Sequence, residues 1–100
     1  MVLYNVTVKI DPSVHDEWLQ WMQRVHIPDV MRTNLFIDNR ICRVLGQNEE
    51  DGITYAIQYF CKSMEDYEMY QLKFAPTLQQ EHAGRYPNKF VAFRTLMEIL

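Results

Sequence analysis

Strict alternation governs the start of the chain. Val2, Tyr4, Val6, Val8 and Ile10 point to one side and Leu3, Asn5, Thr7 and Lys9 to the other, which predicts a strand with one apolar face. Asp11-Pro12 then predicts a helix start, because an Asp side chain caps free amides and Pro loses no hydrogen bond in a first helical turn. The period changes there to that of a helix. Val14, Trp18, Trp21, Met22 and Val25 fall in one sector of roughly 100°, the stripe of a helix lying on a sheet, while Asp16, Gln20, Gln23 and Arg24 occupy the far side. Pro28 denies its amide to the turn before it, so the helix should kink or restart there, with a short turn to Thr33 and Asn34 as its stop.

A second strand is expected from about Phe36 to Leu45, its charges Asp38, Arg40 and Arg43 suiting an edge. The polar stretch Gly46 to Gly52 reads as a hairpin loop. Ile53 to Cys61 reads as a central strand with Ile53, Tyr55, Ile57 and Tyr59 on one face. Ser63 with Asp66 forms a capping box for a second helix, in which Met64, Tyr67, Tyr70, Phe74 and Leu78 recur at helical spacing. Pro76 should bend this helix and Gly84 end it. The last strand runs from about Lys89 to Ile99.

The order βαββαβ, with right-handed crossovers, predicts an α+β ferredoxin-like fold over residues 1–100 as a single domain. Its four-stranded antiparallel sheet has the order 4-1-3-2, with two helices on one face. The other face is too apolar for water: Leu3, Ala56 and Phe60 stand on it, and the last strand is apolar on both sides apart from Arg94, Thr95 and Glu98. Such an edge invites aggregation unless covered, so a homodimer through the helix-free sheet face is expected.

Composition narrows the class further. One hundred residues with 48% hydrophobic and 13% aromatic side chains can bury one modest core without a metal or disulfide. The net charge of -3 argues against a general affinity for phosphate backbones or anionic membranes. Gly52-Ile53-Thr54-Tyr55-Ala56 is similar to the third-strand motif of RNA-recognition domains, which share this strand order. However, Asp51 stands where Lys or Arg would be expected and Ile53 replaces a stacking aromatic, so no nucleic-acid partner is expected. Cys42 and Cys61 are expected as reduced core thiols. The alternating N-terminus is no signal peptide, and no apolar run is long enough to span a membrane, which predicts a soluble cytoplasmic protein.

Several stretches resemble a known family: Tyr4-Asn5-Val6-Thr7, Trp18-x-x-Trp21-Met22 with His26-Ile27-Pro28-Asp29-Val30-Met31, Asp51 to Phe60, and Phe90 to Glu98. Together they resemble domain-of-unknown-function family 4286, small bacterial proteins, over nearly the whole chain. The resemblance implies a dimeric ferredoxin-like α/β barrel, a superfamily that includes cofactor-independent monooxygenases, isomerases and haem-degrading proteins. It supplies no catalytic residues.

No phosphate-binding glycine loop, metal pair or cofactor motif is present, and no cofactor is expected. His15 and His26, eleven residues apart on a helix, would be separated by about 16 Å and cannot share a metal. His26, at the edge of the apolar stripe before the proline, is the candidate proton-transfer group, with Asp29 close enough to orient it. A histidine at a helix end also serves to meet the last carbonyls. His15 and His82 are expected at the surface. Trp18 and Trp21 could wall a site for a small apolar or aromatic ligand, although core packing explains their spacing as well. Asn5, Gln58 and Arg40 are polar groups on strands that either pair with one another at an interface or face a shared cavity. Two functions follow: a small-molecule-binding or interaction module, and alternatively a cofactor-independent monooxygenase- or isomerase-like enzyme using His26.

Overall fold

The computed structural model describes residues 1–100. The strands are β1 (Val2–Ile10), β2 (Asp38–Arg43), β3 (Ile53–Cys61) and β4 (Phe90–Glu98). They form one antiparallel sheet in the order β2-β3-β1-β4, which is the expected order read from the other edge. Tyr4 is opposite Tyr59 on one side and Leu96 on the other. This register puts Val2, Tyr4, Val8, Ile10, Ile53, Tyr55, Ile57 and Tyr59 on a common face, where they form the core with residues from the helices. β2 is shorter than expected: Phe36 has left the strand and is buried against Tyr59 and Tyr70.

The first helical run begins as expected. Asp11 accepts hydrogen bonds from the Ser13 backbone N–H and hydroxyl and caps a 3₁₀ turn over Pro12–Val14. Helix α1 (His15–Trp21) follows, then a widened π turn (Met22–His26), then α2 (Ile27–Met31). Pro28 has no N–H for the Arg24 carbonyl and its ring crowds that oxygen. The wide turn accommodates this, and the Ile27 N–H bonds instead to the Met22 carbonyl. The residues buried along this run are therefore Trp18, Met22, Ile27 and Val30. Val25, expected in the stripe, is 42% exposed, because the five-residue step from Met22 to Ile27 rotates it outward. Asn34, at φ 62°, ends the run as expected.

Ser63 caps α3 (Met64–Lys73) through its hydroxyl and the Asp66 N–H. The break ahead of Pro76 falls at Phe74, and α4 (Ala75–Arg85) resumes with the proline in its first turn, where its missing N–H costs nothing. Gly84 does not end this helix. It continues to Arg85 and stops at Tyr86, whose buried ring anchors the end.

On the helix-free face, Arg40 Nε donates to Gln58 Oε1 at 2.6 Å and Gln58 Nε2 to Asn5 Oδ1 at 3.2 Å. Asn5 Nδ2 in turn donates to Thr7 Oγ1 at 3.0 Å, so one polar row crosses three strands. Cys61 is buried as expected, with its thiol directed at the carbonyls of Leu35 and Ser63. Cys42 is exposed, contrary to expectation, because it lies on the outer face of an edge strand. No helix is long and apolar enough to cross a membrane.

Candidate functional site

Between the helices and the sheet lies a cavity of about 60 Å³, walled largely by Tyr4, Val8, Met22, Ile57, Leu78 and Phe90. Its polar groups come from six elements: His26 from the π turn, Gln79 and His82 from α4, Arg94 from β4, and Tyr4, Tyr59 and Tyr70 from β1, β3 and α3. No Asp or Glu lines it.

His26 is carried to the cavity by the wide turn, which places it beside Ile27 at the boundary of the core. Trp21 lies against its ring, with centroids 5.1 Å apart. Its Nδ1 is withdrawn from solvent and has no hydrogen-bond partner. Burial lowers its pKa to about 4, outweighing the opposing charge of Asp29. At neutral pH it is an uncharged imidazole.

His82, expected at the surface, is only 8% exposed. The reason is its spacing: Leu78, His82 and Tyr86 recur every four residues, so the histidine occupies the inward stripe of α4. This signal was available in the sequence. Trp18 Nε1–H donates to His82 Nε2 at 2.9 Å, and Phe90 packs edge-on at a centroid distance of 4.3 Å. Burial lowers the His82 pKa to about 4, with smaller contributions from His26 and Arg94. The two imidazoles are 5.8 Å apart, centroid to centroid.

Arg94 is on the helix-facing side of β4, opposite Val6, and its Nε donates to the Tyr4 hydroxyl at 3.1 Å. Its side chain remains exposed, and a lone cation on the helix-facing side of an apolar strand marks it even without a structure.

Of the residues singled out from the sequence, His26 lines this cavity. Asp29 does not; its carboxylate pairs with Arg32, and both border an open surface recess that also includes Lys73 and Thr77. Trp18, fully buried, stands behind His82, and Trp21 stands behind His26, with the Arg85 guanidinium 5.3 Å from its ring. Neither tryptophan is a wall residue. Asn5, Gln58 and Arg40 belong to the polar row on the opposite sheet face. His15 bridges Asp16 and the Tyr55 hydroxyl, at 3.0 and 2.7 Å. No three His, Cys, Asp or Glu side chains converge closely enough to hold a metal ion, and the two cavity histidines have no third ligand beside them.

The model of the family described as Domain of unknown function (DUF4286) matches residues 1–100. No curated protein matches the sequence. Among solved structures, the chain is similar to a dimeric ferredoxin-like protein from an uncultured marine organism, with a TM-score of 0.74 at 16% identity over 100% of this chain and 95% of that one. It is also similar to a variant of MhuD with two manganese protoporphyrin IX bound per active site, with a TM-score of 0.71 at 16% identity over 100% and 95% of the two chains. A third is SnoaB, a cofactor-independent oxygenase from Streptomyces nogalater, with a TM-score of 0.65 at 10% identity over 98% and 92%. At such identities the likeness is one of fold.

Proposed function

We propose that this chain, which belongs to the DUF4286 family over its full length, is a small-molecule-binding protein whose ligand sits in the cavity between helices and sheet. The observation that carries this reading is the unpartnered His26 Nδ1 at an apolar cavity. Burying a polar nitrogen without a partner costs about 1–3 kcal/mol. A cavity wall built only for packing would be cheaper with Leu or Phe there. A ligand with an apolar body and one polar group would satisfy the nitrogen and fill the space.

The test is nitrogen-15 NMR of histidine-labelled protein titrated with compounds of three or four heavy atoms bearing one polar group, the size that the cavity admits. Resonances of His26 and His82 should move while those of His15 stay, and His26→Leu should weaken binding by about tenfold, the loss of one hydrogen bond. Unchanged His26 and His82 signals at millimolar ligand would remove the proposal.

A second reading is a cofactor-independent monooxygenase- or isomerase-like enzyme with His26 as proton-transfer group. What favours it is that His26 is neutral at physiological pH and has a free nitrogen, as a general base requires. A pKa of about 4 makes it a weak base, which ranks this reading second. Asp29 would act across space by raising His26 basicity, since its carboxylate is held by Arg32. Deuterium exchange into an acidic C–H of a bound ligand, abolished in His26→Ala, would support it. Exchange that survives the substitution would remove His26 from the mechanism.

The same proposal includes a homodimer formed through the helix-free face. Val91 and Phe93 are 68% and 63% exposed on that face of β4, and Met97 continues the row. An apolar edge strand of this kind needs a cover. A second copy supplies one of matching shape, and one fold neighbour is itself described as dimeric.

A further inference from the structure

We propose that the cavity takes a ligand with an anionic oxygen on a small apolar body, and that Trp18 is the positioning residue that turns His82 into a fixed hydrogen-bond donor for that oxygen. The inference rests on the ligand-binding reading and states what kind of ligand the site accepts.

Trp18 is the starting point because an indole N–H can only donate. Its Nε1 lies 2.9 Å from His82 Nε2, inside the core, so Nε2 must be the accepting nitrogen. A neutral imidazole has one donor and one acceptor, and the proton is thereby placed on Nδ1. Protonating Nε2 would set two N–H groups against each other in a buried site, so the bond also opposes the charged form. Neither ring can turn away to escape this arrangement. Trp18 is fully buried with its ring 5.1 Å from that of Tyr55, and His82 is wedged edge-on against Phe90.

Arg94 supplies the charge at the site. The Tyr4 hydroxyl accepts from its Nε, which fixes the side chain at the cavity. No carboxylate pairs with it, and no acidic side chain lines the cavity. The site therefore combines an unpaired guanidinium, a donor of fixed tautomer and apolar walls. That is a setting for an oxygen that is negative, since charge-assisted hydrogen bonds to a guanidinium and an imidazole N–H are stronger than neutral ones.

The experiment uses the full-length protein labelled with nitrogen-15 at histidine, with propane, acetamide and acetate as probes, which are of the size a cavity of about 60 Å³ admits. His82 in the free protein should carry its proton on Nδ1, and acetate should bind at least tenfold more tightly than acetamide or propane. Arg94→Gln should lower acetate affinity tenfold or more, to the level of acetamide. Trp18→Phe should release the tautomer, with His82 populating the Nε2–H form and acetate preference falling. Should that core variant not fold, the wild-type tautomer and Arg94→Gln decide the matter. A proton on Nε2 in the wild type, or propane binding as tightly as acetate, overturns this inference while leaving the ligand-binding reading in place. Failure of all three probes to bind overturns both.

Discussion

His26 and His82 face one apolar cavity with their imidazole centroids 5.8 Å apart, although one comes from a distorted turn in the first helical run and the other from the last helix. Each is kept neutral chiefly by burial, at a pKa lowered to about 4 from an ordinary 6.5. Between those two values the unfolded chain binds protons that the folded chain refuses. Stability therefore rises with pH across this window and is lost as pH falls through it. At about 1.4 kcal/mol per unit, the pair should cost the protein a few kcal/mol between pH 6.5 and 4. Urea midpoints at pH 7, 5.5 and 4.5 should fall in order, and His26→Leu should flatten the profile. A wild-type midpoint that stays level over this range contradicts the neutral pair.

The π turn decides which residue of the first helical run supports the core. Val25→Ser should change stability by no more than about 0.5 kcal/mol, as for an ordinary surface position. Ile27→Ala, which empties a buried site, should cost about 2–4 kcal/mol. Denaturant unfolding of the two variants separates this register from an uninterrupted helix, in which Val25 would be the costly position.

If a second copy covers β4, one charge there should prevent it. Wild-type protein at micromolar concentration should scatter light with twice the mass of the chain. Phe93→Asp should halve that mass without altering far-ultraviolet circular dichroism, because Phe93 is on the surface of the single chain. A wild-type monomer sinks the dimer.

Gly52 is required for a reason of space. A Cβ there would lie 2.9 Å from Lys9 Cγ and 3.0 Å from the Ile10 carbonyl oxygen, where the hairpin loop rejoins the sheet. The lysine can move but the backbone oxygen cannot. Gly52→Ala should therefore cost about 1–3 kcal/mol, the usual range for overpacking, measured by the shift in urea midpoint. An unchanged midpoint would mean the loop is free to relax.

The two thiols should differ in reactivity. Burial raises the pKa of Cys61, and its thiol is directed at two carbonyls, whereas Cys42 is exposed. A thiol-specific reagent should modify at most one cysteine per native chain and both after denaturation. Rapid labelling of Cys61 in the folded protein would contradict its placement.

The order and type of the elements were legible because they depend on local chemistry. Alternation marked β1 and β3 and the flanking Asp11-Pro12, Gly52 and Ser63 bounded them, Asp11 and Ser63 cap helical turns through their own side chains, and the crossover rule left one strand order for βαββαβ. His26 could be picked out because it stands at the edge of a stripe beside a proline. Its neighbours could not be chosen by nearness in sequence: Asp29, three residues away, turns to Arg32, while His82 and Arg94 reach the cavity from other elements.

What the sequence by itself determined is the ferredoxin-like layout, since periodicity and capping act over a few residues and survive any detail of packing. What only the tertiary structure decided is the site. A single wide turn before Pro28 moved Ile27 inward and Val25 outward, and it carried His26 to the cavity. An indole hydrogen bond between residues 18 and 82 then fixed the state of the second histidine. The turn has a local cause in Pro28, but the partners it meets at the cavity, and the bond between residues 18 and 82, follow from the packing of neighbours far apart in the chain, which no local pattern encodes.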